Sequence, residues 1–204
     1  MRPLAVIVLL SALLLSGCGE RQATPTPRRH AYPRVAAMPD SATALQVDGV
    51  RMRINSSART ERPETAWLDA HYDRHGATLH LSVLHTATEE DLNKAVANRQ
   101  QRINLNIGDS PAETGYFKSA SGFECLLIVT TEACATPVQI LAKGPGCTLV
   151  SGAFVISGRA ENIDSLRPVV KELENEGKRI LESLSVKPHS LKDPMTGKTM
   201  NVHR

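Results

Sequence analysis

Two patterns of apolar residues along residues 38–187 constrain the fold more than any other feature of the sequence. The first repeats every second residue, as at Leu79, Leu81 and Val83, and this spacing predicts half-buried strands. The residues Arg74-His75-Gly76 separate two such segments and predict a hairpin turn. Strands are predicted at Ala44–Ile54 (interrupted at Asp48-Gly49), Trp67–Tyr72, Ala77–Leu84, Gly115–Phe117, Phe123–Thr130, Pro137–Ala142 and Thr148–Ser157.

The second pattern repeats at three- and four-residue steps and predicts two helices. The first begins at a Thr88 cap, has acidic residues in its first turn, and ends before Gly108. Its apolar face comprises Leu92, Ala95, Val96, the stem of Arg99, and Ile103. The second begins after a cap at Asp164 or Ser165, and Gly177 on its apolar face either admits close contact with a sheet or weakens the helix. That face comprises Leu166, Val169, Val170, Leu173, Ile180, Leu181 and Leu184.

The order strands, helix, strands, helix predicts the fold class. Because the connections have hairpin length, we expect an α+β domain with a largely antiparallel sheet covered by two main helices. A chain of about 150 residues can bury roughly 68–70% of its unfolded surface in one core. Residues 38–187 are therefore predicted to form a single domain.

The charge composition argues against a nucleic-acid partner. The chain has 24 Lys and Arg against 21 Asp and Glu, for a net charge of +3, so it lacks a strong basic footprint. Aromatic residues make up only 3% of the sequence, too few for a base-stacking platform.

Residues 1–17 have the features of a signal peptide. The segment Leu4–Leu15 is apolar except for Ser11, and its 12 residues are too few to span a bilayer of roughly 30 Å as a helix. The sequence Leu15-Ser16-Gly17-Cys18 then resembles the bacterial lipobox, in which the cysteine thiolate takes a diacylglyceryl group. We therefore expect a lipidated Cys18 at the mature N-terminus; the alternative is an ordinary secretory signal with an incidental cysteine.

The segments on either side of the domain have the composition of tethers. Residues 18–37 contain three prolines and no apolar period, and residues 188–204 contain two prolines and scattered charge. In the first segment, Arg28, Arg29 and Arg34 either rest on anionic headgroups or are simply solvated. Because Gly19 rather than an aspartate follows Cys18, we expect a lipid anchor in the outer membrane, with the domain facing the periplasm.

Several segments resemble, in order, those of the gliding motility lipoprotein GldD family. Trp67–Tyr72 and Ala77–Ser82 resemble an aromatic-rich strand and the strand that follows it. Ala135–Leu141, Val150–Val155 and Asn162–Val169 are similar to two later strands and to the start of the last helix. Tyr32–Pro39 also parallels the entry segment, and the strand order resembles the Mog1/PsbP-like α/β/α sandwich.

This resemblance implies a cell-envelope lipoprotein of Bacteroidetes that supports assembly or stability of the gliding motility and type IX secretion machinery. Its expected partners are other envelope lipoproteins of that machinery, with no catalytic residues and no cofactor. The chain departs from the family in carrying His71, His75 and His80 where aromatic residues are usual, and in three additional cysteines.

The histidines offer an alternative function, that of a periplasmic ligand- or metal-binding lipoprotein. His71 and His75 flank a turn and are the weak metal candidates, whereas His80 and His85 have opposite parity on one strand and point to opposite faces. Zinc requires three or four convergent ligands. We therefore predict no metal site and interpret the histidines as surface replacements for aromatic residues.

Three cysteines lie within the domain, and two of them are candidates for a disulfide. A hairpin centred between Val129 and Thr130 would place Cys125 opposite Cys134, close enough to bridge. Cys147 would remain a buried free thiol. No C-x-x-C motif of a thiol redox enzyme is present.

Enzymatic motifs are absent from the sequence. No G-x-S-x-G elbow occurs, and no Ser, His and acid set is recognisable. The carboxylates of the last helix are predicted to lie on its solvated face: Glu172, Glu174, Glu176 and Glu182. A non-enzymatic protein is therefore expected.

Overall fold

A computed structural model describes residues 35–130, 135–157 and 166–186. The strands are β1 (Ala42–Val47), β2 (Val50–Asn55), β3 (Arg59–Glu61), β4 (Trp67–Tyr72), β5 (Ala77–His85), β6 (Ala112–Lys118), β7 (Glu124–Thr130), β8 (Val138–Gly144), β9 (Thr148–Ile156) and β10 (Ser185–Val186). The helices are α1 (Glu89–Ile107) and α2 (Arg167–Glu182). Neither helix is long and apolar enough to cross a bilayer.

The strands form two antiparallel sheets. The larger has seven strands in the order β3-β4-β5-β9-β8-β7-β6, and the smaller has three in the order β1-β2-β10. The two helices pack on the larger sheet, so the predicted α+β class is confirmed. The pattern did not predict β3 or β10, because strands of three and two residues are too short to show an alternation.

The turn at Asp48-Gly49 explains the interruption in the first predicted strand. Both residues have positive φ, 42° and 81°, which reverses the chain and pairs β1 with β2 as a hairpin. A two-residue turn with two positive φ values matches the right-handed twist of the paired strands.

Helix α1 forms as its sequence predicts and covers one face of the larger sheet. The Asp91 backbone N–H donates to Thr88 Oγ1 at 3.1 Å, which satisfies one of the free donors at the helix start. Its buried residues Leu92 and Ile103 pack against a cluster on the sheet. The sheet residues of this cluster are Leu126, Ile128, Leu141 and Leu149.

Helix α2 lies between the opposite face of the larger sheet and the smaller sheet. A Cβ added at Gly177 would lie 3.2 Å from both Ile140 Cγ2 and Leu127 Cδ1, so the absence of a side chain here permits close contact with the larger sheet. The predicted caps Asp164 and Ser165 lie outside the described residues. The layers are therefore the small sheet, α2, the large sheet and α1.

The prediction that all four glutamates of α2 are solvated is wrong. Glu176 is 1% exposed, and its Oε1 accepts hydrogen bonds from the Asn55 backbone N–H at 2.6 Å and from the Tyr72 hydroxyl at 2.9 Å. Glu172 Oε2 accepts from the Met38 backbone N–H at 2.8 Å. The small sheet and the segment before it cover this side of the helix, and the sequence pattern did not predict that cover.

The register predicted for the cysteine hairpin is also wrong. Cys125 pairs with Ala142, because β7 and β8 are joined by a connection longer than a tight turn. Cys125 is a buried free thiol, and burial raises its pKa to about 11. Cys134 lies outside the described residues. Cys147 is a free thiol too, but it is half-buried at the β8–β9 turn rather than fully buried.

Candidate functional site

The two metal candidates predicted from the sequence do not share a site. His71 Nδ1 lies 3.1 Å from Thr78 Oγ1. The ring of His75 is buried, and its Nε2 donates to the Ala36 carbonyl at 2.9 Å. The interpretation of His75 as a surface residue is therefore wrong, because the segment before β1 covers it.

The other two histidines lie on opposite faces of the larger sheet, as predicted. His80 Nδ1 donates to Asp69 Oδ1 at 2.7 Å, on the face that carries α1. His85 Nε2 donates to the Asp48 carbonyl at 2.8 Å, toward the β1–β2 turn. Across residues 35–130, 135–157 and 166–186, no three or more His, Cys, Asp or Glu side chains are grouped to hold a metal ion.

A cleft of about 290 Å³ lies between α1 and the larger sheet, and we call it the α1 cleft. It exists because α1 crosses β8 and β9 and leaves part of β4 and β5 uncovered, while the small side chains of Ser151 and Ala153 leave room beneath the helix. The residues that define it chemically are Trp67, His80, Arg99, Arg102, Gln139 and Ser151.

The floor of the α1 cleft is polar. The hydroxyls of Ser82 and Ser151 lie 3.0 Å apart on neighbouring strands, and Arg99 Nη2 lies 3.4 Å from Ser82 Oγ. Gln139 is 3% exposed, and its Nε2 is buried with no hydrogen-bond partner in the described part of the chain. A buried amide without a partner costs free energy, about 1–3 kcal/mol.

The wall that α1 contributes is positively charged. Arg99 and Arg102 are three residues apart on the helix, so their side chains are neighbours. Burial lowers the pKa of the Arg99 guanidinium, and the charge of Arg102 lowers it further. Neither guanidinium forms an ion pair with a carboxylate of the residues that the structure describes. Strand β4 contributes Trp67 to the cleft, the one tryptophan of the sequence, which is 45% exposed.

A second surface lies on the other side of α1. A groove of about 440 Å³ separates the helix from β6 and β7, and Tyr116 on its rim is 73% exposed. Strand β6 ends the seven-stranded order, and nearly all of its residues are exposed. One side of its backbone is therefore unpaired with another strand of that sheet.

Sequence reasoning named some residues of the α1 cleft without predicting the cleft. The sequence predicts His80 as a surface replacement for an aromatic residue rather than a metal ligand, and Arg99 as apolar cover through its stem. Gln139 could have been identified from the sequence, because it is a polar residue within the otherwise apolar first five residues of β8. The predicted lipidation site, Cys18, lies outside the described residues.

Comparison with known proteins adds little to these observations. No protein-family model matches the chain. No curated protein matches it either. Among solved structures, the chain is similar to the Ran-binding protein Mog1p of Saccharomyces cerevisiae, with a TM-score of 0.48 and 10% identity over 72% of this chain and 95% of that chain. The class of the protein is an α+β domain with two helices on a large antiparallel sheet.

Proposed function

We propose that this protein is a lipid-anchored envelope protein that acts without catalysis in assembly or stability of the gliding motility and type IX secretion machinery. The observation that carries the proposal is Leu15-Ser16-Gly17-Cys18 directly after a short apolar segment. The ordered resemblance to the GldD family supports the choice of machinery. We place the anchor in the outer membrane, with the domain in the periplasm.

The anchor would act by raising the local concentration of the domain at the membrane. Burial of acyl chains contributes about 0.8 kcal/mol per CH₂, so two or three chains hold a protein in place effectively permanently. The 20 residues from 18 to 37 reach at most roughly 70 Å when fully extended. Weak partners within that radius meet the domain at high effective concentration.

The edge strand β6 is the surface best suited to such a partner. Its free backbone N–H and C=O groups can pair with an extended segment of an envelope protein, which would add an eighth strand to the larger sheet. Tyr116 supplies an exposed aromatic anchor beside that edge. The other edge strand of this sheet, β3, has only three residues.

Site-specific photocrosslinking in the native bacterium tests this function. A photoreactive residue is placed at Tyr116, and a matched control is placed at Leu105, which is exposed to the same degree on α1. We expect envelope lipoproteins of the secretion machinery to be captured from Tyr116 and not from Leu105. Capture of the same proteins from both positions, or of none from Tyr116, would contradict the proposal.

A ligand-binding lipoprotein is the second candidate, and the α1 cleft is the observation that favours it. His71 and His75, the residues first considered for this function, contact different parts of the domain. The two functions differ in what Arg99→Gln should do. If assembly is the function, Tyr116 captures envelope lipoproteins, and both this capture and secretion persist in the Arg99→Gln variant. If ligand binding is the function, Tyr116 captures none of them, and Arg99→Gln has the same phenotype as deletion of the protein.

A further inference from the structure

We propose that the α1 cleft binds a small molecule that carries an oxyanion, a carboxylate or a phosphate, next to a flat apolar ring. This inference goes beyond the assembly function, because it requires neither the lipid anchor nor a protein partner. It also gives a ligand class to the second candidate function.

The sign of the ligand charge follows from the wall of the cleft. Arg99 and Arg102 bring two cations together at its side without a carboxylate partner among the described residues. The planar guanidinium group presents its N–H donors in a fixed geometry that matches the two oxygens of a carboxylate or phosphate. A bound oxyanion would therefore neutralise two neighbouring cations at once.

The floor of the cleft supplies further donors. Gln139 lines the cleft from below, and its buried Nε2 has no hydrogen-bond partner among the described residues, an arrangement that is rare in folded proteins. Its side chain would have to rotate to donate to a ligand. The hydroxyls of Ser82 and Ser151 can each donate or accept, so they adapt to an acceptor placed above them. The Asp69 carboxylate is next to His80 of the cleft, and its Oδ1 already accepts a hydrogen bond from that residue.

The apolar half of the ligand follows from Trp67 and from the size of the cleft. Trp67 lines the same cleft as the arginines and is 45% exposed, so its indole is available for stacking. A volume of about 290 Å³ is at the small end of ligand pockets. The cleft therefore suits one ring with one anionic group rather than a larger cofactor.

Trp67 also makes the test direct, because it is the one tryptophan in the sequence and its fluorescence reports on the cleft. Phenyl phosphate, inorganic phosphate and phenol are titrated separately into the purified protein. We expect phenyl phosphate to change the fluorescence saturably and to bind about 2- to 10-fold more tightly than inorganic phosphate, because only the former stacks. Phenol should give no saturable change in the same range.

Charge variants then locate the site. Arg99→Gln and Arg102→Gln should each raise the Kd for phenyl phosphate about tenfold or more. Arg51→Gln is the matched control, because it removes the same charge from β2 in the other sheet and should leave the Kd unchanged. The unfolding transition of each variant checks that the fold is intact. The proposal is overturned if phenyl phosphate gives no saturable change, or if Arg51→Gln weakens binding as much as Arg99→Gln does.

Discussion

Replacing Glu176 by alanine is expected to destabilise the domain more than any other substitution on α2 that leaves its apolar face intact. The buried Oε1 of Glu176 is the acceptor for the Asn55 backbone N–H and for the Tyr72 hydroxyl. Alanine leaves both donors buried without a partner, at about 1–3 kcal/mol each, so the free energy of unfolding should fall by about 2–6 kcal/mol.

Glutamine at the same position separates the acceptor from the charge. Its side-chain oxygen can still accept both hydrogen bonds, and Arg179, which donates to Glu176 Oε2 at 3.3 Å, is near enough to solvent to turn away. Glu176→Gln should therefore cost less than about 1.5 kcal/mol. Glu174→Ala is the surface control, with an expected cost below about 0.5 kcal/mol.

The charge of Glu176 gives this comparison a pH dependence. Burial raises the pKa of Glu176, and the hydrogen bonds from Asn55 and Tyr72 and the charge of Arg179 offset part of that rise. Because the folded protein holds this proton more tightly than the unfolded chain, stability falls as the pH rises from about 4.3 through the folded-state pKa. Glu176→Gln should lack this component.

Urea unfolding of the wild type and the three variants, followed by circular dichroism at several pH values, measures all of these effects. Tyr72→Phe removes one of the two donors, so Glu176→Ala should cost less in that background, with a coupling of about 0.5–3 kcal/mol. An alanine variant no less stable than the glutamine variant would refute the reasoning, because it would mean that the two donors find other acceptors.

Three further predictions concern other parts of the domain. Gly144→Ala should lower the unfolding free energy by about 1–3 kcal/mol, because the new Cβ overlaps the Phe123 ring, and Phe123→Leu should recover part of that loss in the double variant. Gln139→Leu should raise thermal stability by removing a buried amide nitrogen without a partner, yet weaken phenyl phosphate binding about 2- to 10-fold. Thr88→Ala should cost about 1 kcal/mol in urea unfolding, because the Asp91 N–H loses its cap.

Most of the fold could be predicted from local patterns, because each long element repeats with its own period. Trp67–Tyr72 matches β4 at both ends, and the start of α1 follows directly from its cap at Thr88. The sequence showed Asp48-Gly49 as an interruption of one strand, and the structure makes it a turn in which both residues have positive φ. These features are encoded within a few neighbouring residues.

The remaining features depend on contacts between segments far apart in the sequence. The pattern of α2 predicts that Glu176 is solvated. It is buried by the small sheet, whose strands come from both ends of the domain. The register of Cys125 depends on the length of the β7–β8 connection, which the alternating pattern does not set. The α1 cleft likewise exists only where the helix leaves Trp67 and His80 uncovered on two neighbouring strands.

The anchor at Cys18 is the central claim, and the intact mass of the mature chain from the native membrane fraction tests it most directly. We predict a mature chain that begins at Cys18 and carries the added mass of a diacylglyceryl group. The Cys18→Ala variant should yield neither this N-terminus nor this added mass. An N-terminus at any other residue, or an unmodified Cys18 in the membrane fraction, would contradict the lipoprotein assignment.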